Sequence, residues 1–258
     1  MDFKQLKANL LNGEKIQPFP IYQFESVTST NEISWKLLDQ GNAPPFVAIA
    51  SQQTAGRGQW GRTWNSPPGG LYLSMAFDLD IPTINAAHLT LFSAWGIAQE
   101  LQGYGLPIKL KWPNDLILQG KKLGGIKTEI RSQQGTITQG IIGIGINWDN
   151  PVPKTGINLQ SFLKNQETCL ITSLEALAVM TINGVLKGYQ YYLSQGVEAL
   201  LSSYLEILDS VGRTVLIEGV TGVIIGVTSQ GELKVCLKSP GAKTEINLPP
   251  GSISLGYH

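Results

Sequence analysis

A nine-residue loop, Gly56-Arg57-Gly58-Gln59-Trp60-Gly61-Arg62-Thr63-Trp64, runs through Asn65-Ser66 into Pro67-Pro68-Gly69-Gly70, and that exit limits the folds open to the chain. Gly56, Gly58 and Gly61 match G-x-G-x-x-G, and Gly56, Gly61, Arg62 and Thr63 nearly match a P-loop. Both motifs need a helix next, because its N-terminus holds the phosphate. Two prolines and two glycines forbid that helix. The following segment, Leu71 to Phe77, reads as a strand. The loop therefore joins strand to strand, and neither a dinucleotide-binding fingerprint nor a Walker loop survives. What remains is a set of backbone N–H groups able to approach an anion, two arginines and two flat apolar rings, Trp60 and Trp64. Such a loop suits a phosphate attached to an aromatic group. A surface hairpin loop with turn glycines is the alternative reading.

The length, 258 residues, fits one large domain or one domain with a small appendage. Nineteen basic residues balance nineteen acidic ones, which argues against a chain devoted to nucleic acid. No run approaches the ~20 apolar residues of a membrane span. Met1-Asp2-Phe3-Lys4-Gln5 lacks a signal-peptide layout. Cys169 and Cys236, far apart, suit free thiols in a reducing cytoplasm. The two histidines, His88 and His258, are too few for a His-based metal site, and no metal-ligating residue is expected. His88 reads as structural. Chemistry must rest on Lys, Arg, Asp, Asn and backbone groups.

Along the chain, the first twenty residues are too short for a helix-turn-helix unit. Ser29 and Glu32 form a capping-box pattern opening a helix through Leu38, with Gly41 as its stop. Phe46–Ser51 is a short apolar strand. Asn85–Leu101 is a helix ended near Gly103. Ile108–Lys111 and Asp115–Leu118 are short strands, and a turn at Gln119-Gly120-Lys121 leads into an arm from Leu123 to Arg131. Thr136–Trp148 is a longer strand. Ser173–Leu208 forms one or two helices, capped by Thr172 with Glu175 and broken near Gly196. From about Val211, five short β-branched runs predict a small antiparallel barrel: Thr214–Ile217, Val220–Val227, Glu232–Leu237, Thr244–Leu248 and Ser252–Leu255. The division is 1–209 for the main domain and 210–258 for the barrel.

Two further segments carry chemistry. Lys109-Leu110-Lys111-Trp112-Pro113-Asn114-Asp115 is followed by Lys121-Lys122-Leu123-Gly124-Gly125-Ile126. Pairing around Gln119-Gly120 places Asp115 and Lys122 on opposed arms. A lysine there can stabilise developing negative charge, and a carboxylate can orient an amine or take its proton. A solvated turn with a buried Trp112 is the plain alternative. Gly143-Ile144-Gly145-Ile146-Asn147 puts glycines inside a strand, which suits a ligand wall or a bulge.

The order of these motifs is more specific than any one of them. Ser29-Thr30-Asn31, Gln53 with the glycine loop, KWPND, KKLGGI and GIGIN together resemble a bacterial biotin protein ligase, from about residue 20 to the C-terminus. That resemblance implies an α/β (strictly α+β) fold with a mixed or antiparallel sheet and flanking helices, of the class II synthetase-like biotin/lipoate ligase type, plus an SH3-like C-terminal barrel. It implies activation of biotin with MgATP to biotinyl-5′-AMP. Biotin then passes to a lysine of a biotin carboxyl carrier domain of acetyl-CoA carboxylase, in the cytoplasm, by a monomer or homodimer. Ser29, Thr30, Asn31 and Gln53 would hold the ureido end. Gly56, Arg57 and Gly58 would cover the carboxylate and phosphates, Arg62 and Trp64 would help bind the nucleotide, Gln59 would face the adenylate, and Lys111, Trp112 and Asn114 would belong to the ligand-binding set. Lys122 would neutralise the activated carboxylate, and Asp115 would serve the acceptor amine. Gly143 and Gly145 would let the ligand approach, beside Asn147. A lipoate ligase shares this fold and chemistry but usually lacks the loop together with KWPND; a non-catalytic binding module would leave Asp115, Lys122 and the arginines without a role.

The anhydride is reactive, so the loop is expected to be mobile when empty and ordered over the adenylate. Two departures from the family stand out. No N-terminal DNA-binding domain is expected, so neither is a repressor role. Many relatives carry arginine where Gln59 stands, which removes a charge facing the adenylate. Gln59→Arg is accordingly expected to slow dissociation of the intermediate; an unchanged dissociation rate contradicts that expectation.

Overall fold

The computed structural model describes residues 19–164, 171–239, 242–253 and 255–256. Expectations about the extreme N-terminus, Cys169 and His258 lie outside the described residues. A seven-stranded sheet contains β1 (Ile21–Val27), β2 (Phe46–Gln53), β3 (Leu71–Pro82), β4 (Lys109–Lys111), β5 (Asp115–Leu118), β6 (Lys121–Gln133) and β7 (Thr136–Ile146). Its order is β1-β2-β3-β7-β6-β5-β4. β1 and β2 run parallel and every other neighbouring pair antiparallel, so the sheet is mixed. The described helices are α1 (Thr30–Asp39), α2 (Ala87–Gly103), α3 (Leu159–Leu163) and α4 (Leu174–Glu206).

The alternation of β7 assigns the two faces of the sheet. Ile142, Ile144 and Ile146 enter the main core with Phe92, Ile97, Leu177 and Val185 of α2 and α4. Ile141 enters a smaller cluster with Phe46 and Ala76, against which Trp35, Leu37 and Leu38 of α1 pack. Gly143 and Gly145 share the α1 face, and with no side chains they leave its floor bare. One face is thus closed by long helices and the other keeps a hollow.

α2 and α4 approach closely through glycines. A β-carbon on Gly184 would lie 2.6 Å from the Ile97 Cα, and one on Gly188 would run into the Phe92 carbonyl oxygen. Close-packed interiors do not absorb such overlaps. Gly196, at φ 80°, breaks α4 where a break was expected.

The local signals misread several ends. Ser29 occupies the N-cap position of α1, but its side chain makes no cap bond; Glu32 binds Lys36 Nζ at 2.8 Å, so the capping box does not form. The i,i+4 charge pair takes the carboxylate that the box needed. Ser173, not Thr172, caps α4, its Oγ accepting from the Ala176 N–H at 3.1 Å. α2 starts at Ala87, after a short 3-10 turn at Thr83–Asn85. β1 and α3 had no strong sequence signal: β1 is a partly exposed edge strand and α3 spans five residues.

The C-terminal part is a four-stranded antiparallel sheet of β8 (Thr214–Ile217), β9 (Val220–Val227), β10 (Leu233–Ser239) and β11 (Ala242–Leu248), ordered β11-β10-β9-β8. The fifth expected strand, Ser252–Leu255, is not one among the described residues. Ser252 instead closes a turn, its N–H and Oγ both donating to the Pro249 carbonyl at 3.1 and 2.7 Å. Ile224, Val227, Leu233 and Val235 join the same core as the main sheet. The β9–β10 turn is pinned twice: Trp112 Nε1 donates to the Gly231 carbonyl at 2.9 Å, and His88 Nε2 lies 2.6 Å from the Ser229 carbonyl. His88 is structural, as read. Among the described residues no helix is long and apolar enough to cross a membrane.

Gly188→Ala gains about 1 kcal/mol of helix propensity but forces the Phe92 contact, an overpacking that costs about 1–3 kcal/mol. A net loss of stability is expected, read as a lower urea midpoint with an unchanged slope.

Candidate active site

The bare floor of β7 lies under a pocket of about 1080 Å³ of open space, part of it continuous with solvent. Four walls surround it. The N-terminal turn of α1 supplies Ser29, Thr30 and Asn31, with Gln53 at the end of β2. The glycine loop supplies Arg57, Gly58, Gln59, Arg62 and Trp64. The β4–β5 corner and β6 supply Lys111, Trp112, Asn114, Asp115 and Lys122. The C-terminal segment adds Gly251, Ile253 and Leu255, which the sequence reading did not foresee.

The α1 wall is locked by hydrogen bonds. Gln53 Oε1 accepts from the Thr30 N–H at 2.9 Å and from Thr30 Oγ1 at 3.2 Å, while Gln53 Nε2 donates to Ser66 Oγ at 2.8 Å. Ser74 Oγ lies 2.7 Å from both Thr30 Oγ1 and Asn31 Oδ1, and its single proton serves one at a time. Asn31 Nδ2 donates to the Lys127 carbonyl at 3.3 Å. Buried polar groups must be partnered, and here the partners are chiefly each other. Ser66 and Ser74 were missed as site residues. A serine inside the apolar run Leu73-Ser74-Met75 is the signal that marks Ser74.

The glycines have local tenants. A β-carbon on Gly143 would run into the Asn31 amide, and one on Gly145 into the Trp64 indole. Gly56, outside the pocket lining, would meet the Trp64 carbonyl, and at 2.6 Å the Ser66 Oγ. Asn147 also stands behind the wall: its Nδ2 lies 3.3 Å from the Ile157 carbonyl and its Oδ1 accepts from Asn150 Nδ2 at 3.0 Å. Asn114 faces the pocket and braces β6, donating from Nδ2 to the Ile126 carbonyl at 2.8 Å. The peptide Trp112–Pro113 is cis.

Two buried atoms in the pocket wall find no hydrogen-bond partner within the protein: the Trp64 indole N–H and the Gln59 Oε1. One donates and one accepts. Leaving such groups unpaired costs about 1–3 kcal/mol each, and the Trp64 indole nitrogen is turned onto Gly145 of the sheet floor. Gln59 Nε2 reaches the Ile126 carbonyl at 3.4 Å.

Charge is concentrated at the corner. Lys122 Nζ sits 2.5 Å from Asp115 Oδ1 and 5.3 Å from the Trp64 ring centroid. Asp115 faces Gly125 across the β5–β6 pair and Lys111 across the β4–β5 pair. Arg57 leans to Glu32, 3.6 Å away, and stays largely exposed. Burial pushes the Lys111 ammonium down to about 8 against the pull of Asp115, and Lys122, Arg213 and Arg62 push the same way. Cations outnumber carboxylates, so the pocket is set to receive an anion. Among the described residues no cluster of three or more His, Cys, Asp or Glu could hold a metal ion.

Residues 23–147 match the model of the biotin/lipoate A/B protein ligase family. The chain is 32% identical over 241 residues to the bifunctional ligase/repressor BirA of Escherichia coli, covering 90% of this chain and 72% of that protein. It is 36% identical over 129 residues to BirA of Bacillus spizizenii, over 49% of this chain and 39% of that protein. The chain thus spans about two fifths of the length of the Bacillus relatives it matches (39% of each). Among solved structures, the biotin protein ligase of Aquifex aeolicus in complex with biotin and ATP superposes with a TM-score of 0.70 at 24% identity, covering 88% of this chain and 95% of that one. The Leishmania major enzyme in complex with biotinyl-5-AMP gives 0.60 at 23%, over 90% and 99%. At these identities the structures speak for the fold.

Because Lys111 is held partly deprotonated near pH 8 in the free protein, binding of a polyanion should draw a proton onto it. Pyrophosphate affinity is expected to fall as pH rises from 7 through 9, whereas Lys111→Arg, charged throughout, flattens the dependence. Calorimetry in buffers of different ionisation enthalpy reads the proton uptake directly.

Proposed function

This chain belongs to the biotin/lipoate A/B protein ligase family, and on that premise we propose that it is a biotin protein ligase. It joins biotin's carboxylate to the α-phosphorus of ATP, releasing pyrophosphate. The resulting biotinyl-5′-AMP then meets a lysine amine of a biotin carboxyl carrier domain. Nitrogen attacks the acyl carbon, AMP leaves with the bonding pair, and the amine loses its proton. The supporting observation is the corner where Lys122, Lys111 and Arg62 face one hollow beside the glycine floor.

The first step brings a carboxylate to a triphosphate, two anions that repel unless cations stand between them. Lys122, Lys111, Arg57 and Arg62 are those cations. Mg²⁺ would arrive on the nucleotide's own phosphates, because the pocket offers no carboxylate cluster to hold it; no step is assigned to it. Biotin's ring carries no charge, so small polar groups suit it: Ser29 with the hydrogen-bonded Thr30 and Asn31, the latter seated over Gly143. Asp115 is engaged by Lys122 at 2.5 Å. Its role in this reading is to hold Lys122 until the carboxylate arrives, then to orient the acceptor amine. Trp64, its N–H unpartnered, lies on the nucleotide side with Gln59.

The two-part layout, a catalytic 1–209 and a β-sheet unit 210–258, is part of this proposal, as are a cytoplasmic location and a carrier-protein partner. No DNA-binding role is proposed.

ATP–pyrophosphate exchange tests it. Exchange should depend on biotin and not on lipoate, which separates the two chemistries of the family. Lys122→Ala should lower it by about 10²- to 10³-fold, the usual effect of removing one preorganised charge-stabilising group. Exchange driven by lipoate, or untouched by Lys122→Ala, would overturn the assignment.

A further inference from the structure

The pocket mouth is bordered by two segments from opposite ends of the fold, the glycine loop and the C-terminal stretch after β11. They meet where Trp60 stands on Gly251. Trp60 sits at the loop tip with φ 57°, in the left-handed region that a bulky side chain rarely adopts. Its ring is 59% exposed as a residue, yet it is not swung into open solvent. It lies on Gly251, where a β-carbon would come within 2.9 Å of the indole Cδ2 and Cε2 and 3.1 Å of Cε3. Gly251 itself has φ +94°. One strained position, Trp60, therefore meets a glycine whose positive φ carries no such strain, and together they make one contact. Strain of this kind persists only where surrounding structure imposes it.

Gly251 is not on a free tail. Ser252 folds back on Pro249 through two hydrogen bonds, and Ile253 and Leu255 pack against the main core while lining the pocket. The seat is thus fixed, and the loop is the partner that can lift. Next to Trp60 stands Gln59, whose amide is turned inward, so opening the tip would carry one pocket-facing group away with it.

We infer that Trp60 is a positioning residue that latches the glycine loop onto the C-terminal segment at Gly251, and that this latch sets how long the activated intermediate stays in the pocket. The inference rests on the proposed adenylation chemistry. It gives the C-terminal unit a task in the reaction, that of the loop's catch plate. The contact is a single aromatic ring on a glycine, worth on the order of tenfold in a rate.

The test uses the full chain and three variants: Trp60→Ala, Gly251→Ala and both together. The protein is loaded with labelled biotin and ATP, chased, and the release of label is timed. Trp60→Ala should release the intermediate about tenfold faster. Gly251→Ala should also speed release, by pushing the ring off its seat. The double variant should match Trp60→Ala alone, because the second change has nothing left to displace. Equal release from wild type and Trp60→Ala overturns the latch. So does a Gly251→Ala effect of full size in the Trp60→Ala background, which would mean backbone strain alone. A second measurement needs no ligand: trypsin should cut after Arg57 and Arg62 faster in Trp60→Ala than in wild type. Faster cutting without any biotin-dependent exchange would sink the ligase reading while the latch stands; exchange with unaltered cutting and release would do the reverse.

Discussion

Two missing side chains in β7 organise the site. Gly143 and Gly145 leave a strip of sheet uncovered on the α1 face, and Asn31 and Trp64 lie directly on it. A strand with side chains there would push both away, and with them the turn of α1 and the root of the glycine loop. Glycine weakens a strand by roughly 0.5–1 kcal/mol relative to alanine. The neighbours compensate: β7 is flanked on both sides by long antiparallel partners, β3 and β6, and its other face is buried under two helices. The sheet can tolerate a bare strip because it is held elsewhere.

On that strip the protein keeps its polar groups in two conditions. The α1 side is saturated: Thr30, Asn31, Gln53, Ser66 and Ser74 satisfy one another, which gives a rigid wall with fixed dipoles. The side formed by the glycine loop and the β4–β5 corner is left wanting. An indole N–H and an amide oxygen have no hydrogen-bond partner, burial pushes the Lys111 pKa down, and Arg57 of the loop is exposed. One half is held rigid by its own hydrogen bonds, and the other carries an excess of cations that gives the hollow a positive field.

The fold was legible where polypeptide chemistry is strict. Pro67-Pro68-Gly69-Gly70 excluded a helix after the loop, and β3 stands there. Gly41, Gly103 and Gly196 marked helix ends or breaks that the structure contains. Where two side chains compete for one partner, local patterns failed: Glu32 chose Lys36 over Ser29, and Ser173 capped α4 in place of Thr172. Residues carried by contiguous motifs come together in the pocket lining. Ser74, which braces the α1 wall from behind, and Gly251, which lines the hollow, carried no such signal, because nothing in the chain order says that β3 or the last ten residues return to this region. Gly56 and Asn147 were read as ligand-facing; in this structure they lie outside the pocket lining, packed at the loop and the β7 exit. A motif marks a neighbourhood; which member faces the hollow is decided by packing.

The β9–β10 turn has a consequence for modularity. Trp112, in the middle of the pocket's own corner, donates to Gly231, and His88 on α2 lies against Ser229. Gly231 itself leaves no room beyond its α-carbon, for a β-carbon there would lie 2.5 Å from Ala87 Cβ. The C-terminal sheet is therefore not an interchangeable cassette. Exchanging it with that of a relative, or lengthening its hairpin by a residue, would strand an indole N–H beside the β4–β5 corner, so turn length and tryptophan constrain each other as the sequence diverges.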